Sequence, residues 1–183
     1  MLQDDTDLEW KQVEERVVFR SPFFGLRNDL AQRPDGEVVE YVVVEYQDYS
    51  SVTCVVEDDS KVVLVRQFRY PWMQASWESP SGLIDSGESA EEAAIRETKE
   101  ETGYSIKSMQ PLARYHPTGL GPVWCNLYYG TAGDATDQLP DPGEFLRVGL
   151  FSFDEVDRMI DDGEIVHAAT IMGWSLAKLR GLV

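Results

Sequence analysis

Runs of β-branched and aromatic residues recur along the first part of the chain and predict strands. These runs cover residues 13–20, 23–30, 37–46, 51–56 and 61–69. A turn signal at residues 33–36 (RPDG) separates the second run from the third, so these runs predict a hairpin that precedes the main body. We therefore expect a small N-terminal antiparallel β-element over residues 1–48 and a main domain over residues 49–183.

The second part of the chain alternates predicted strands with predicted helices. Apolar runs predict strands over residues 124–132 and 145–153. Asp154 is the predicted cap of a short helix that ends near Gly163, and residues 168–180 predict an amphipathic helix packed on the sheet. Mixed strands followed by helices at this spacing predict an α+β fold in which helices cover both faces of a sheet.

A further helix is predicted over residues 89–102, beginning at the capping-box residue Ser89. Glu97, Glu100 and Glu101 recur on it at positions i, i+3 and i+4, which places three carboxylates within about 100° of arc on one side. Like charges at this spacing cost roughly a few tenths of a kcal/mol per pair. Oxygen ligands of this kind suit the hard cation Mg²⁺. The alternative is a solvated acidic face.

The composition of the 183 residues excludes several classes of function. With 33 acidic and 16 basic residues the net charge is −17, so nucleic acid and anionic membranes are not expected as partners. No apolar run is long enough to span a membrane. Cys54 and Cys125 lie in apolar strand-like runs, which predicts buried reduced thiols in a cytoplasmic protein. An acidic enzyme acting on an anionic substrate must neutralise charge locally, which points to a metal cation.

Residues 82–104 read GLIDSGESAEEAAIRETKEETGY and resemble the signature of the Nudix hydrolase family, G-x5-E-x7-R-E-U-x-E-E-x-G-U, in which U is a bulky apolar residue. The fixed positions are matched by Gly82, Glu88, Arg96, Glu97, Glu100, Glu101 and Gly103. Thr98 and Tyr104 depart from it, and both are packing positions. The resemblance implies a Nudix-type α/β/α sandwich with a mixed sheet, and hydrolysis that depends on Mg²⁺, with Mn²⁺ as the alternative ion.

The resemblance also implies roles for individual residues. Glu97 and Glu101 are the first expected metal ligands, with Glu100 as a third or bridging ligand that contributes to catalysis. The carbonyl of Ser81, which precedes the signature glycine, is expected to ligate the metal as well. Arg96 is a candidate catalytic residue. The favoured interpretation is structural: its guanidinium pairs with Glu88 or another carboxylate of the signature.

Five segments around the signature resemble the ADP-ribose pyrophosphatase branch of the family. They are residues 67–69 (QFR), 78–82 (ESPSG), 116–120 (HPTGL), 141–148 (DPGEFLRV) and 163–165 (GEI). The branch implies hydrolysis of ADP-ribose to AMP and ribose 5-phosphate by a homodimer whose N-terminal strands reach the partner subunit. Another nucleoside diphosphate derivative such as GDP-mannose, and a non-catalytic nucleotide-sensing domain, remain as alternatives.

A general base is expected on the loop before the last strand. Glu144 is the candidate, with Asp141 as the alternative and an ordinary exposed loop acid as the plain interpretation. Arg69 is expected to contact phosphate or ribose, or else to pair with Glu78. Glu78 is expected to help hold the metal ligands in place without contacting the metal itself.

The remaining candidates border the expected substrate. Phe24 and Tyr41 are the aromatic residues expected to hold the adenine, although plain packing explains them equally well. Pro117 and Gly119 belong to the loop after the signature and are expected to line the substrate site. The two histidines have different interpretations: His116 could border the substrate, and His167 is structural.

Overall fold

The computed structural model describes residues 5–183, which form two compact units. The first unit contains residues 5–47 and 118–123. The second contains residues 48–117 and 124–183. No helix in residues 5–183 is long and apolar enough to cross a membrane.

The first unit is built on a sheet of four antiparallel strands. They are β1 (Lys11–Glu14), β2 (Val17–Arg20), β3 (Phe24–Gln32) and β4 (Val38–Tyr46). β3 pairs with β4 along its whole length, and its other edge pairs with β1 and β2 in turn. The predicted strand over residues 13–20 is therefore wrong as one element. It breaks because the backbone N–H of Arg16 donates to the buried carboxylate of Asp29 at 3.1 Å.

The second unit contains a mixed sheet of seven strands. They are β5 (Tyr49–Val56), β6 (Lys61–Arg69), β7 (Gln74–Glu78), β8 (Ser81–Leu83), β9 (Tyr104–Tyr115), β10 (Cys125–Ala135) and β11 (Arg147–Ser152). The main path is β11-β6-β5-β10-β9, with β7 beside β6 and β8 beside β5. The β5–β10 pair is parallel and the other pairs are antiparallel. The predicted mixed sheet is confirmed.

Helices cover both faces of this sheet. They are α1 (Ala90–Thr102), α2 (Phe153–Asp161) and α3 (Ala168–Leu179). Residues of β6 alternate between the faces, because side chains alternate along a strand. Val63 packs with Ala94 of α1, whereas Val62 and Leu64 belong to the core that contains Trp174 of α3. The predicted α/β/α sandwich is confirmed.

Two predicted boundaries near β11 are corrected by the structure. The strand begins at Arg147 because Phe145 lies outside it and is 89% exposed. Ser152, not Asp154, caps α2: its side chain accepts from the N–H of Glu155, whose carboxylate in turn accepts from the N–H of Ser152. The capping box therefore starts two residues before the predicted cap.

Candidate active site

The loop before α1 and the carboxylates of α1 are held together by backbone contacts. The N–H of Ser81 donates to a carboxylate oxygen of Glu101 at 2.9 Å. Gly82 lies so close to Glu97 that a Cβ added there would be 2.0 Å from the carboxyl group. At the start of α1, Ser89 and Glu92 form the predicted capping box. A side chain at the glycine of the signature would therefore displace the carboxyl group of Glu97.

The three glutamates of α1 differ in their surroundings. The Glu101 residue is 2% exposed, whereas the side chains of Glu97 and Glu100 are 15% and 36% exposed. Burial raises the pKa of Glu101 to about 8, opposed by the N–H of Ser81 and reinforced by the negative charges of Glu97 and Glu144. Burial also raises the pKa of Glu97, against the lowering effect of Arg96. The cluster therefore has a deficit of positive charge.

Arg96 connects the carboxylates to the loop before the helix. Its Nε and Nη2 donate to the two oxygens of Glu88, each at 2.9 Å, so the expected Arg96–Glu88 pair is present. Its Nη1 donates to Glu97 at 2.7 Å and to Glu100 at 3.0 Å, and Nη2 also donates to the carbonyl of Leu83 at 3.0 Å. One guanidinium thus holds three carboxylates and the loop backbone.

The site fits a divalent cation in donor type and charge but not in its present side-chain arrangement. Among residues 5–183, no three acidic, histidine or cysteine side chains are placed so that they could hold one metal ion together. Glu97, Glu100, Glu101 and the Ser81 carbonyl supply only oxygen, which a hard cation prefers. The buried carboxylate of Glu101 also favours an added positive charge. For three carboxylates to meet around an ion, Glu97 and Glu100 must exchange their contacts with Arg96.

A buried network fixes the segment that leads into Ser81. Arg69 pairs with the fully buried Glu78, through Nε at 3.1 Å from one oxygen and Nη2 at 2.6 Å from the other. The Nδ1 atom of His167 lies 3.5 Å from Glu78 and 3.0 Å from Oγ1 of Thr170. That same Oγ1 accepts from the N–H of Ser79 at 2.8 Å. Burial lowers the pKa of His167, so its imidazole is neutral at pH 7.

This network bears on two of the sequence interpretations. Arg69 adopts the pairing with Glu78 that was the alternative to a phosphate contact, although its side chain remains 35% exposed. His167 is buried within this network, and its expected structural role stays a prediction. Thr170 was missed, because a threonine in the first turn of an apolar helix carries no sequence signal of a contact with Ser79, 91 residues away.

Glu144 lies in a tight turn before β11. Its N–H donates to the carbonyl of Asp141 at 3.0 Å, its carboxylate accepts from the N–H of Asp141 at 3.2 Å, and Gly143 has a φ of +103°. The charge of Glu144 contributes to the raised pKa values of both Glu97 and Glu101. The loop therefore brings the charge of Glu144 within electrostatic reach of the carboxylates of α1.

Phe24 and Tyr41, the aromatic residues expected to hold the adenine, do not lie next to each other within one chain. Phe24 pairs with Tyr46 across β3 and β4, whereas Tyr41 pairs with Asp29. Five residues of strand separate the two positions, about 16 Å, and an odd separation places them on opposite faces. The ring of Tyr41 instead meets Trp10 edge to face at 5.5 Å. The two rings therefore cannot clasp one adenine within a single chain.

The loop after the signature is divided between the two units. Pro117 belongs to the second unit, and Gly119 belongs to the first, where an added Cβ would meet nothing within 4 Å. His116 stacks on Trp124 at a centroid distance of 3.6 Å, and the guanidinium of Arg114 lies over the same tryptophan at 4.2 Å. Contact of these residues with a substrate stays a prediction.

Comparison with known proteins identifies the class. The family description "NUDIX domain" matches residues 49–171, and the chain therefore belongs to the Nudix family. The ADP-ribose pyrophosphatase of Bacillus subtilis (strain 168) is 24% identical over 176 residues, which cover 94% of this chain and 95% of the relative. The GDP-mannose pyrophosphatase of Yersinia enterocolitica is 33% identical over 132 residues, which cover 67% and 69%.

A solved structure supports the same assignment at the level of the fold. The structure described as "Crystal structure of ADP compounds hydrolase" has a TM-score of 0.81 and 21% identity, and the alignment covers 96% of this chain and 97% of that one. Together with the family match, these similarities confirm the predicted resemblance to the ADP-ribose pyrophosphatase branch and the predicted enzyme class, a Nudix pyrophosphatase. The roles of individual residues stay predictions.

Proposed function

We propose that this chain hydrolyses the pyrophosphate of a nucleoside diphosphate sugar in the presence of Mg²⁺, with ADP-ribose giving AMP and ribose 5-phosphate as the preferred reaction. The observation that carries the proposal is the contact between the N–H of Ser81 and the buried carboxylate of Glu101. It joins the loop before the signature to the helix that carries the three glutamates. Similarity to an ADP-ribose pyrophosphatase supports the choice of substrate.

In this proposal Glu97, Glu100, Glu101 and the carbonyl of Ser81 hold the cation. Mg²⁺ is the first choice and Mn²⁺ the second, because both accept carboxylate, carbonyl and phosphate oxygens. When bound, such an ion neutralises phosphate charge and acidifies water. Arg96 would keep its hydrogen bonds to Glu88, which fix the conformation of the loop, while its contacts with Glu97 and Glu100 are replaced by the ion.

The chain's own groups would supply the remaining chemistry. Glu144 is the proposed general base, taking the proton from the attacking water through a carboxylate oxygen. The side chain of Arg69 is 35% exposed, and its pair with Glu78 uses Nε and Nη2. Its Nη1 can therefore donate to a phosphate oxygen while the ion pair with Glu78 remains intact. His167 and Thr170 would act by holding the backbone of the Ser79 segment.

The decisive test is a panel of nucleoside diphosphate compounds assayed in EDTA, Mg²⁺ and Mn²⁺, with products separated by chromatography. We expect turnover of ADP-ribose only with a divalent ion. Glu101→Gln should abolish it, whereas Glu91→Gln, an exposed carboxylate in the first turn of the same helix, should leave it intact. Tight nucleotide binding with no hydrolysis of any compound would instead support a sensing domain.

A second pair of variants tests the base. Glu144→Gln should lower kcat by about 10² to 10⁴ with metal affinity unchanged, and Asp141→Asn should have little effect. The reverse result would assign the base to Asp141. Hydrolysis in ¹⁸O-labelled water, with the label located in AMP or in ribose 5-phosphate, identifies the phosphorus that is attacked.

GDP-mannose is the second candidate substrate. The 33% identity to a GDP-mannose pyrophosphatase favours it, and the same panel decides between the two by their kcat/KM values.

We further propose a cytoplasmic location, supported by the free and buried thiols of Cys54 and Cys125.

We also propose that the chain forms a homodimer through the sheet of the first unit. This sheet exposes large apolar side chains, which in a stable monomer would remain in contact with water. They include Val13, Val17, Phe19, Phe24, Val38 and Val42. Light scattering should give the mass of a dimer. Val42→Asp should give a monomer, whereas Leu179→Asp, at an exposed position of α3, should not.

A further inference from the structure

A cavity lies where β6 ends and β11 begins, within the second unit. Its volume is about 500 Å³, which is in the range of small-molecule sites. Arg66 and Arg147 line it and are direct cross-strand partners. Phe68 and Phe145, which are 57% and 89% exposed, line it as well.

The two arginines form an unusual pair in this chain. Like charges directly opposite each other on neighbouring strands destabilise a sheet. Arg66 is partly compensated by Glu164, 4.0 Å away, and by the ring of Trp77, 5.5 Å from its guanidinium. Among the side chains that the structure describes in residues 5–58 and 60–183, none forms an ion pair with Arg147. An acidic chain therefore places two arginines side by side, one of them without an acidic partner among the described residues.

The cavity is separate from the candidate active site because it opens on the other face of the sheet. In β6, Val63 packs on the α1 face and Leu64 on the face of α2 and α3, so Arg66 lies on the latter. In β11, Val148 packs on the α1 face, which places Arg147 on the same face as Arg66.

We propose that this cavity binds a phosphomonoester attached to a planar aromatic group, which is the chemistry of a nucleoside monophosphate. Two adjacent guanidinium groups can each donate two hydrogen bonds to phosphate oxygens, and a dianion relieves their mutual repulsion. The exposed rings of Phe68 and Phe145 supply faces on which a base can stack. The cavity therefore combines an anion-binding pair with an aromatic surface.

The test measures the binding of AMP by calorimetry in EDTA, so it does not depend on the proposed reaction. We expect AMP to bind, and Arg147→Gln to raise its Kd at least about tenfold. Lys107→Gln removes one positive charge from an exposed position outside the cavity and should leave the Kd unchanged. Phe145→Ala should weaken AMP binding but not the binding of inorganic phosphate.

Three results would overturn the proposal. One is the absence of AMP binding at millimolar concentration, and another is an equal Kd for wild type and Arg147→Gln. The third is equal affinity for AMP and inorganic phosphate, which would show that the aromatic base contributes nothing to binding. Since Arg147 lies outside the proposed catalytic groups, kcat and KM for the nucleoside diphosphate substrate should be unchanged in Arg147→Gln, which verifies that the variant is folded.

Discussion

Replacement of Thr170 by valine tests whether the C-terminal helix positions the loop before the Nudix signature. The substitution conserves the shape of the side chain and removes only its hydroxyl group. That hydroxyl is fully buried, accepts from the N–H of Ser79 at 2.8 Å and lies 3.0 Å from Nδ1 of His167. Valine would leave a buried backbone N–H without its acceptor.

The magnitude follows from these contacts. An unsatisfied buried donor costs about 1–3 kcal/mol, so we expect Thr170→Val to lower the free energy of unfolding by about 2 kcal/mol. For a chain of this length the loss lowers Tm by about 4–8 °C. We also expect a lower kcat, because Ser79 lies two residues before Ser81, whose N–H holds Glu101.

Urea denaturation and calorimetry measure the effect, and a second buried threonine supplies the control. The hydroxyl of Thr98 donates to the carbonyl of Ala94 within α1, so Thr98→Val leaves no N–H without a partner and should cost less than Thr170→Val, at most about 1 kcal/mol. Thr170→Ser keeps the hydrogen bonds and should restore kcat. If Thr170→Val is as stable as wild type, or more stable than Thr170→Ser, the reasoning is refuted.

Three further predictions concern the signature. Arg96→Lys cannot hold both oxygens of Glu88, so amide exchange in the loop of residues 83–88 should accelerate and kcat/KM should fall; unchanged exchange would contradict this. Gly82→Ala should displace the carboxyl group of Glu97 and abolish metal-dependent turnover with little change in Tm. Glu101 has a folded pKa of about 8, above its unfolded value, so the folded state binds more protons between these pKa values. In EDTA, stability should therefore fall as pH rises from about 5 to about 8, and Glu101→Gln should flatten this dependence.

The parts of the structure that were predictable from sequence are those determined by short-range signals. The capping box at Ser89 and the glycine at residue 103 define α1 locally, and the 3.6-residue period places Glu97 and Glu101 on one side. The pairing of Arg96 with Glu88 follows from their places before and within one helix.

Long-range contacts and side-chain exposure were not predictable in the same way. β9 was missed because much of it is exposed, so its residues do not show the alternation of a half-buried strand. The separation of Phe24 from Tyr41 depends on the register between β3 and β4, which no local signal specifies. Ile95 of α1 is 41% exposed because the sheet covers the helix at Thr98 and Thr102 instead.

The distribution of charge supports the proposal that this site takes up a cation that is not part of the chain. Arg96 is already shared among three carboxylates, and Arg69 pairs with Glu78, which leaves only part of its side chain open to a phosphate. Within the described residues, the contact that holds the carboxylate of Glu101 comes from a backbone N–H, which carries no net charge. A pyrophosphate would add further negative charge to this face, beside Glu144. Under the proposed function, a divalent ion would supply the compensation that Arg96 and Arg69 cannot provide in full, and Glu97 and Glu100 would exchange their contacts with Arg96 for contacts with the ion.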